Sequence, residues 1–369
     1  SAIVGITLGE GDQKKADRYF TLFLLAALIS VSVLAVLGIV FLRPIAALLG
    51  AKGELLDYAV RYGRILMVSL PTFALQNMFQ SFFVTAEKPH LGFWFTVGAG
   101  CTNMVLDVLM VGVWGWGVEG AAIATFISQL VGGVLPVFYF IDRSNSSRLH
   151  LCKTSFYSKV LRDACINGSS ELMTNLSMSL VNILYNYQLL RLAGENGVAA
   201  YGVIMYAAFL FVAVFVGYAV GSAPIVSYHY GANNRKEVNN LYRKSLKLIG
   251  VVAVVMTIGS MFIIPHVARF FVGYDENLLI LTTRAFRLYG LSFLIMGFNV
   301  YASSFFTALG DGVTSALISF LRTLLFQLAA LLLLPALGSI FVGAFAPQAL
   351  GSGLAGVTVK KAVRYGVAR

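Results

Sequence analysis

Residues 19–42 read YFTLFLLAALISVSVLAVLGIVFL, an unbroken run of uncharged and mostly apolar side chains between Arg18 and Arg43. A helix needs about 20 such residues to cross the hydrocarbon core of a bilayer, so this run predicts a membrane-spanning helix. A helix also satisfies its own backbone hydrogen bonds, which a chain surrounded by lipid requires. The run therefore indicates a fold set by the membrane.

The composition of the whole chain agrees with that run. Of 369 residues, 58% are hydrophobic and 12% are charged, whereas soluble domains have roughly 45–50% and about 25%. This excludes a water-soluble globular domain and predicts an all-α polytopic membrane protein. The other predicted spans are residues 65–86, 91–118, 120–141, 164–190, 198–228, 248–268, 288–309, 312–334 and a Gly-rich tenth at about 340–358.

The net charge of +11 has an explanation in topology and does not require a nucleic-acid partner. Counted on alternate sides of the predicted spans, most Lys and Arg fall on one side, which holds residues 9–18, 142–162 and 229–247. The positive-inside rule places that side in the cytoplasm. We therefore expect a multi-pass protein of the plasma membrane (the cell inner membrane), in contact with lipid, monomeric and without a nucleic-acid partner.

Neither an enzyme nor a metal site is expected from the side chains that usually carry such chemistry. Cys101, Cys152 and Cys165 form no CxxC pair, and the four histidines are far apart in sequence. An intramembrane enzyme would need a compact constellation of His, Cys, Ser or Asp at one depth, which the sequence does not show. The prediction is a protein without catalytic residues, metal or cofactor.

An internal repeat is the most informative feature of the chain. Three segments match in order at an offset of about 222 residues, the distance from Gly9 to Gly231. The matches are LGEGDQK at 8–14 with YGANNRK at 230–236, Pro44 with Pro265, and SFFV at 81–84 with SFFT at 304–307. The repeated unit holds six helices, and an even number predicts a parallel repeat about an axis along the membrane normal.

The repeat also predicts the domain organisation. We expect a first lobe at residues 1–141, a cytoplasmic linker at 142–159 and a second lobe at 160–369. Because the second unit begins near residue 160, the first should begin about 60 residues before Ser1, enough for about one and a half helices. The chain is therefore expected to be truncated at its N-terminus.

Ionisable side chains inside predicted spans are candidates for function, because lipid offers no water to satisfy them. The three such side chains are Asp107, Glu171 and Arg322. Glu171 is followed by Asn175, Asn182 and Asn186, and at about 100° per residue the four fall on a stripe about 60° wide. The stripe predicts a water-filled substrate cavity, with helix-to-helix hydrogen bonding as the alternative.

A carboxylate in such a cavity can exchange a proton or hold Na⁺, which assigns Glu171 to ion coupling. Asp107 lies one turn after Asn103 and is assigned the same role, with a helix-end cap as the alternative. Arg322 is assigned a structural role, pairing a carboxylate or loop carbonyls.

Two further polar pairs are related by the repeat. Gln76 and Gln80 lie one turn apart, and Asn299 and Ser303 occupy the corresponding positions of the second lobe. Equivalent polar stripes in both lobes suit a central substrate path, so all four are predicted to line the substrate cavity. Hydrogen bonding between packed helices is again the alternative.

Several of these stretches together resemble the multidrug and toxic compound extrusion (MATE) family. They are NMVLD at 103–107, GVEGAAIAT at 117–125, NGSSELMTN at 167–175, ALGD at 308–311, and the paired loops at 8–12 and 230–234. The resemblance covers about residues 1–337. It implies a twelve-helix antiporter that exports organic cations or amphipathic drugs in exchange for H⁺ or Na⁺.

The resemblance also bears on individual residues. Glu171 matches the seventh-helix carboxylate implicated in cation coupling in part of the family, while Asp107 and Asp311 match acidic positions of the fifth helix and of the end of the tenth. Asp311 is predicted to lie in a cytoplasmic loop. The first-helix acidic residue of other branches would lie before Ser1. Residues 339–369 depart from the family, since they are rich in Gly and Ala and lack the acidic residue of its final helix.

Two other transporters remain as alternatives. A lipid-linked oligosaccharide flippase of the same superfamily would share the architecture, but should have several basic residues in its cavity, and Arg322 is the one cation within the predicted spans. A major-facilitator carrier would also have the parallel six-helix repeat. Its first-lobe loop should place Asp four residues after Gly, whereas Asp12 follows Gly9 by three.

Overall fold

The computed structural model describes residues 1–48 and 51–333, and all regular secondary structure in those residues is helical. The helices are α1 (Ala2–Gly9), α2 (Gln13–Leu48), α3 (Glu54–Thr85), α4 (Pro89–Asp107), α5 (Gly117–Gly133), α6 (Leu135–Ile141), α7 (Ser158–Gly231), α8 (Arg235–Val272), α9 (Glu276–Gly290), α10 (Phe293–Ala308), α11 (Gly312–Phe320) and α12 (Phe326–Leu333). Two π-helical segments, Val108–Val113 and Leu321–Leu325, continue α4 and join α11 to α12.

Six helices of the described residues are long and apolar enough to cross a membrane, or seven if α9 and α10, bent by 49°, form one span. α3 holds the predicted span 65–86 but is not among the six, and the amides Gln76, Asn77 and Gln80 lower its hydropathy. The expected all-α polytopic membrane protein is confirmed. The tenth predicted span, at about 340–358, lies outside the described residues.

α7 runs over 74 residues and contains two of the predicted spans. Its path is interrupted at Gly194, where φ is 64° and ψ is −158°, a backbone conformation that favours glycine. The break falls between the predicted spans 164–190 and 198–228. Two helices therefore meet at this glycine.

The chain divides into two compact units, with the boundary between Leu161 and Arg162. The segment predicted as a linker folds onto the first unit: Leu149 is fully buried, the His150 amide donates to Asp17 Oδ1 at 3.0 Å, and the Thr154 hydroxyl donates to the Arg18 carbonyl at 2.8 Å. Residues 142–157 are thus part of the first unit and not a free connector.

The helix boundaries repeat with the offset that the sequence predicts. α1 ends at Gly9 and α2 begins at Gln13, while α7 ends at Gly231 and α8 begins at Arg235. The next pair of starts, Glu54 and Glu276, keeps the same offset. The two units are therefore built from equivalent helices.

The turns before α2 and α8 are equivalent in detail. Gly11 and Asn233 both have positive φ, 86° and 54°. Asp12 then accepts a hydrogen bond from the Lys15 amide at 3.0 Å, and Asn234 accepts one from the Glu237 amide at 3.1 Å. Each side chain satisfies a backbone N–H of the first helical turn, which would otherwise have no partner.

Each unit has its own packed interior. In the first unit, four phenylalanine rings pack on one another: Phe20, Phe79, Phe83 and Phe140. Helix α5 also approaches α3 closely at Gly133, where a Cβ would lie 2.3 Å from the Thr72 carbonyl oxygen. In the second unit, Tyr185 stacks on Tyr201 with centroids 5.3 Å apart. Outside these cores, large apolar side chains are exposed, as expected of surfaces that face lipid. They include Ile29, Val33, Leu37 and Val40 of α2.

Candidate functional site

The first half of α7 has two distinct faces. Its packed face is formed by buried residues at helical spacing: Ser170, Ser177, Val181, Tyr185 and Leu189. Glu171, Asn175, Asn182 and Asn186 are all exposed. The four residues of the predicted stripe thus lie outside the packed face of α7.

The amides of the stripe bond within their own helix. Asn175 Nδ2 donates to the Glu171 carbonyl at 2.9 Å, and Asn186 Nδ2 donates to the Asn182 carbonyl at 3.0 Å. These bonds hold the side chains against the helix and do not join it to a neighbour. They give no support to the alternative in which the amides hold helices together.

A cavity of about 440 Å³ lies within the second unit beside the stripe. Its polar lining consists of Asn175, Ser179, Asn182, Tyr201, Arg322, Thr323, Gln327 and Tyr289. Its apolar lining consists of Met178, Val181, Met205, Ala208, Phe209, Val212, Met296 and Val300. Apolar walls with a few polar groups are typical of sites for small molecules. Two asparagines of the stripe therefore line this cavity, whereas Glu171 and Asn186 are not in contact with it.

Arg322 lies in the π-helical segment Leu321–Leu325, a kind of distortion that is frequent at functional sites. Its Nε donates to Thr323 Oγ1 at 3.3 Å, and its Nη1 is buried without a hydrogen-bond partner. Among the described residues, no carboxylate oxygen lies within 4.0 Å of the guanidinium, since none of their ion pairs includes it. The structure corrects the predicted pairing with a carboxylate: Arg322 lines the cavity.

Asp107 lies in the first unit at the junction of α4 and its π-helical continuation. Its Oδ1 and the Nδ2 of Asn103 are both buried without a hydrogen-bond partner, and its side chain makes no cap hydrogen bond. The alternative of a helix-end cap is therefore wrong. A buried carboxylate oxygen with no partner remains available for an ion, and ion coupling by Asp107 stays a prediction.

The glutamines of α3 have separate surroundings. Gln76 packs against Gly132 of α5, where a Cβ would lie 2.7 Å from the Gln76 Cδ. Gln80 is exposed and donates to Thr96 Oγ1 at 3.5 Å. Gln76 therefore takes part in helix packing, and a place for Gln80 on a substrate cavity stays a prediction.

Asn299 and Ser303 are buried in the packing of the second unit. Ser303 Oγ lies 2.9 Å from both Ser315 Oγ and Ser319 Oγ, so it joins α10 to α11 through hydroxyl groups. Neither side chain lines the cavity described above, because the lining from α10 comes from Met296 and Val300. The structure thus corrects the predicted cavity role of this pair in favour of the packing alternative.

Asp311 caps α11. It accepts a hydrogen bond from the Thr314 amide at 3.1 Å and another from the Thr314 hydroxyl at 2.7 Å. The arrangement satisfies an N–H of the first helical turn. This capping accounts for an acidic residue at this position.

Sequence reasoning did not find the cavity role of Arg322, Gln327 and Tyr201. The sequence did contain an indication for Arg322: a cation within a span should have a partner, and no acidic residue occurs nearby on its own helix. For the other two, side-chain periodicity could not separate a cavity wall from a packed interface.

Comparison with known proteins identifies the family. Residues 1–109 and 172–333 match the family model described as MatE. The chain belongs to the MatE family. The matched segments include Asp107 and Arg322, and Glu171 lies immediately before the second of them. This MatE chain is an all-α multi-pass membrane protein.

The MatE chain is similar to curated multidrug exporters. It is 22% identical over 324 residues to the multidrug export protein MepA of Staphylococcus aureus (strain MSSA476), covering 85% of this chain and 69% of that protein. It is 21% identical over 305 residues to the MepA of Staphylococcus haemolyticus (strain JCSC1435), covering 83% and 67%.

Solved structures support the fold of this MatE chain. One is the outward-facing conformation of a multidrug resistance MATE family transporter of the MOP superfamily, with a TM-score of 0.93 and 21% identity. A second is a MATE in complex with MaL6, also with a TM-score of 0.93 and 21% identity. Each match covers 100% of this chain and 82% of the other. At this identity the likeness shows the fold.

Proposed function

We propose that this chain is a secondary active efflux antiporter of the plasma membrane that exports organic cations or amphipathic drugs in exchange for H⁺ or Na⁺. The observation that carries the proposal is the exposed polar stripe of α7 beside an amphipathic cavity of about 440 Å³. Polar side chains on an exposed helix face are costly against lipid and useful against a solvated path. The names of the MepA relatives, multidrug export proteins, support the same function.

Glu171 is the proposed coupling residue. Its side chain is exposed on the stripe, one turn before Asn175, which lines the cavity. A carboxylate that is accessible to the transport path can bind either H⁺ or Na⁺ when the substrate is absent, and release of that ion can accompany substrate binding. Asp107, with a buried oxygen that lacks a partner, is the corresponding proposal for the first unit.

The flippase alternative receives less support from the cavity. Recognition of a lipid-linked diphosphate would call for several cations, and Arg322 is the one basic residue among the described residues that line this cavity. The proposal uses no cofactor, and the protein acts as a monomer in lipid.

Transport by the purified chain in vesicles tests the proposal. Vesicles are prepared with a fluorescent organic cation, and a pH gradient or a Na⁺ gradient is imposed separately. We expect one of the two gradients to drive the dye across the membrane, and its reversal to reverse the direction of transport. If protein-free vesicles move as much dye as vesicles that contain the chain, under both gradients, the proposal is refuted.

A further inference from the structure

Within the part of the chain that the structure describes, the guanidinium of Arg322 has no counter-charge at contact distance. Among the described residues, no Asp or Glu oxygen lies within 4.0 Å of it. The remaining residues, 49–50 and 334–369, contain neither Asp nor Glu. The residues that the structure describes therefore offer the guanidinium no acidic partner at contact distance.

An anionic partner would stabilise the partly buried charge of Arg322. Its Nη1 is buried without a hydrogen bond, while the side chain as a whole keeps some accessible surface in the cavity. Leaving a buried charge unpaired is costly, and an arginine cannot avoid that cost by losing its proton. An anion that enters the cavity removes this cost by pairing with the group.

Glu171 lies on α7, whose Asn175 and Asn182 line the same cavity as Arg322. It is exposed and more than 4.0 Å from the guanidinium, and it does not line the cavity. It therefore does not bond the guanidinium, whose Nη1 stays without a partner among the described residues. A guanidinium carries N–H donors that match the two oxygens of a carboxylate or a phosphate.

The rest of the lining selects for a ligand with an apolar body. Gln327 and Asn182 add neutral hydrogen-bonding groups, whereas Met205, Phe209 and Met296 add apolar surface. Methionine side chains adapt to ligands of different shape. The cavity thus combines one unpaired cation with an adaptable apolar wall.

We propose that this cavity binds an amphipathic organic anion, whose carboxylate or phosphate pairs with Arg322 and whose apolar body packs on the methionine-rich wall. The proposal adds a substrate class to the proposed exporter, and it rests on that function only in treating the bound anion as cargo. Binding itself can be measured without transport.

Three probes of one shape test the selectivity: 2-naphthoate, the neutral 2-naphthamide and the cationic 2-naphthylmethylammonium. The purified full chain in phosphatidylcholine nanodiscs should bind the carboxylate at least about tenfold more tightly than either of the others. Tighter or equal binding of the ammonium would overturn the proposal. This comparison needs only the unaltered protein.

Variants identify the residue. Arg322→Gln should weaken naphthoate binding by about 10- to 100-fold and leave the amide unchanged, because a charge-assisted hydrogen bond is lost. The naphthoate affinity of Arg322→Lys should lie between those of the unaltered protein and of Arg322→Gln, since lysine keeps the charge but lacks the planar guanidinium. Arg284→Gln, which changes an exposed arginine of α9, is the matched control and should bind as the unaltered protein does. Equal naphthoate affinity of Arg322→Gln and Arg284→Gln would contradict the proposal.

Two further measurements distinguish a lipid anion from a soluble anion, and the anion site from the exporter function. If nanodiscs with anionic phosphatidylglycerol weaken naphthoate binding, the site takes a lipid headgroup; if they do not, it takes a soluble anion. Selective naphthoate binding without gradient-driven dye transport would refute the exporter and keep the anion site. Dye transport without selectivity for naphthoate would refute the anion site alone.

Discussion

Removal of the Ser315 hydroxyl should destabilise the second unit by about 1 kcal/mol. Ser315 is fully buried between α10 and α11. Its Oγ donates to the Ser303 carbonyl at 2.7 Å and lies 2.9 Å from Ser303 Oγ and 2.8 Å from Thr307 Oγ1. In Ser315→Ala all three contacts are lost together.

The magnitude follows from these contacts. Thr307 donates its one hydroxyl hydrogen to the Ser303 carbonyl, so the Ser315 hydroxyl makes two hydrogen bonds, one as donor to that carbonyl and one with the Ser303 hydroxyl. Hydrogen bonds between side chains of membrane helices contribute about 0.6 kcal/mol each on average, so the loss of two gives about 1 kcal/mol. The remaining hydroxyls keep partners: Ser303 still reaches Ser319 Oγ at 2.9 Å, and Thr307 still donates to the Ser303 carbonyl at 3.1 Å. No buried hydroxyl is left alone, so we expect no additional desolvation penalty.

The assay is equilibrium unfolding of the full chain in mixed micelles of sodium dodecyl sulfate and a mild detergent. Ser169→Ala is the matched control, because Ser169 is only partly buried and its hydroxyl donates to the Ile166 carbonyl of its own helix at 2.7 Å. The control should change the free energy of unfolding by less than about 0.5 kcal/mol. Equal free energies for the two variants would refute a stabilising role of the hydroxyl cluster.

Three other changes have expected outcomes. Gly133→Ala places a Cβ 2.3 Å from the Thr72 carbonyl oxygen and should lower the free energy of unfolding by about 1–3 kcal/mol, whereas Gly98→Ala, with nothing within 4 Å, should not lower it. Asp311→Ala should cost about 1 kcal/mol in the same assay through loss of the α11 cap, and Asp311→Asn should be close to neutral. Gly194→Ala should lower the midpoint of thermal unfolding, because alanine is strained at a φ of 64°, while Gly202→Ala, at ordinary φ and in open space, should not.

Much of the fold could be predicted from the sequence because lipid simplifies the problem. Within a bilayer, an apolar run of sufficient length forms a helix, so hydropathy alone indicated the spans. The repeat then predicted where helices begin, as the equivalent starts at Gln13 and Arg235 show. In contrast, the fold of residues 142–157 onto the first unit depends on particular hydrogen bonds, such as that from His150 to Asp17, which composition does not reveal.

The candidate site was only partly predictable, for a physical reason. Helical periodicity shows which residues share a face, and the four residues of the stripe of α7 are exposed together. It does not show what lies opposite that face. Asn299 is buried in helix packing although its repeat position suggested a cavity, and Arg322 lines a cavity although pairing was expected.

The central claim is that the exposed carboxylate of Glu171 couples an ion gradient to export. The most direct test compares Glu171→Gln with Glu195→Gln, an exposed carboxylate beside the Gly194 break of the same helix, in vesicles with an imposed pH or Na⁺ gradient. We expect Glu171→Gln to bind dye but no longer to transport it in response to either gradient, whereas Glu195→Gln should transport it as the unaltered chain does. Undiminished gradient-driven transport by Glu171→Gln would exclude this carboxylate as the coupling group.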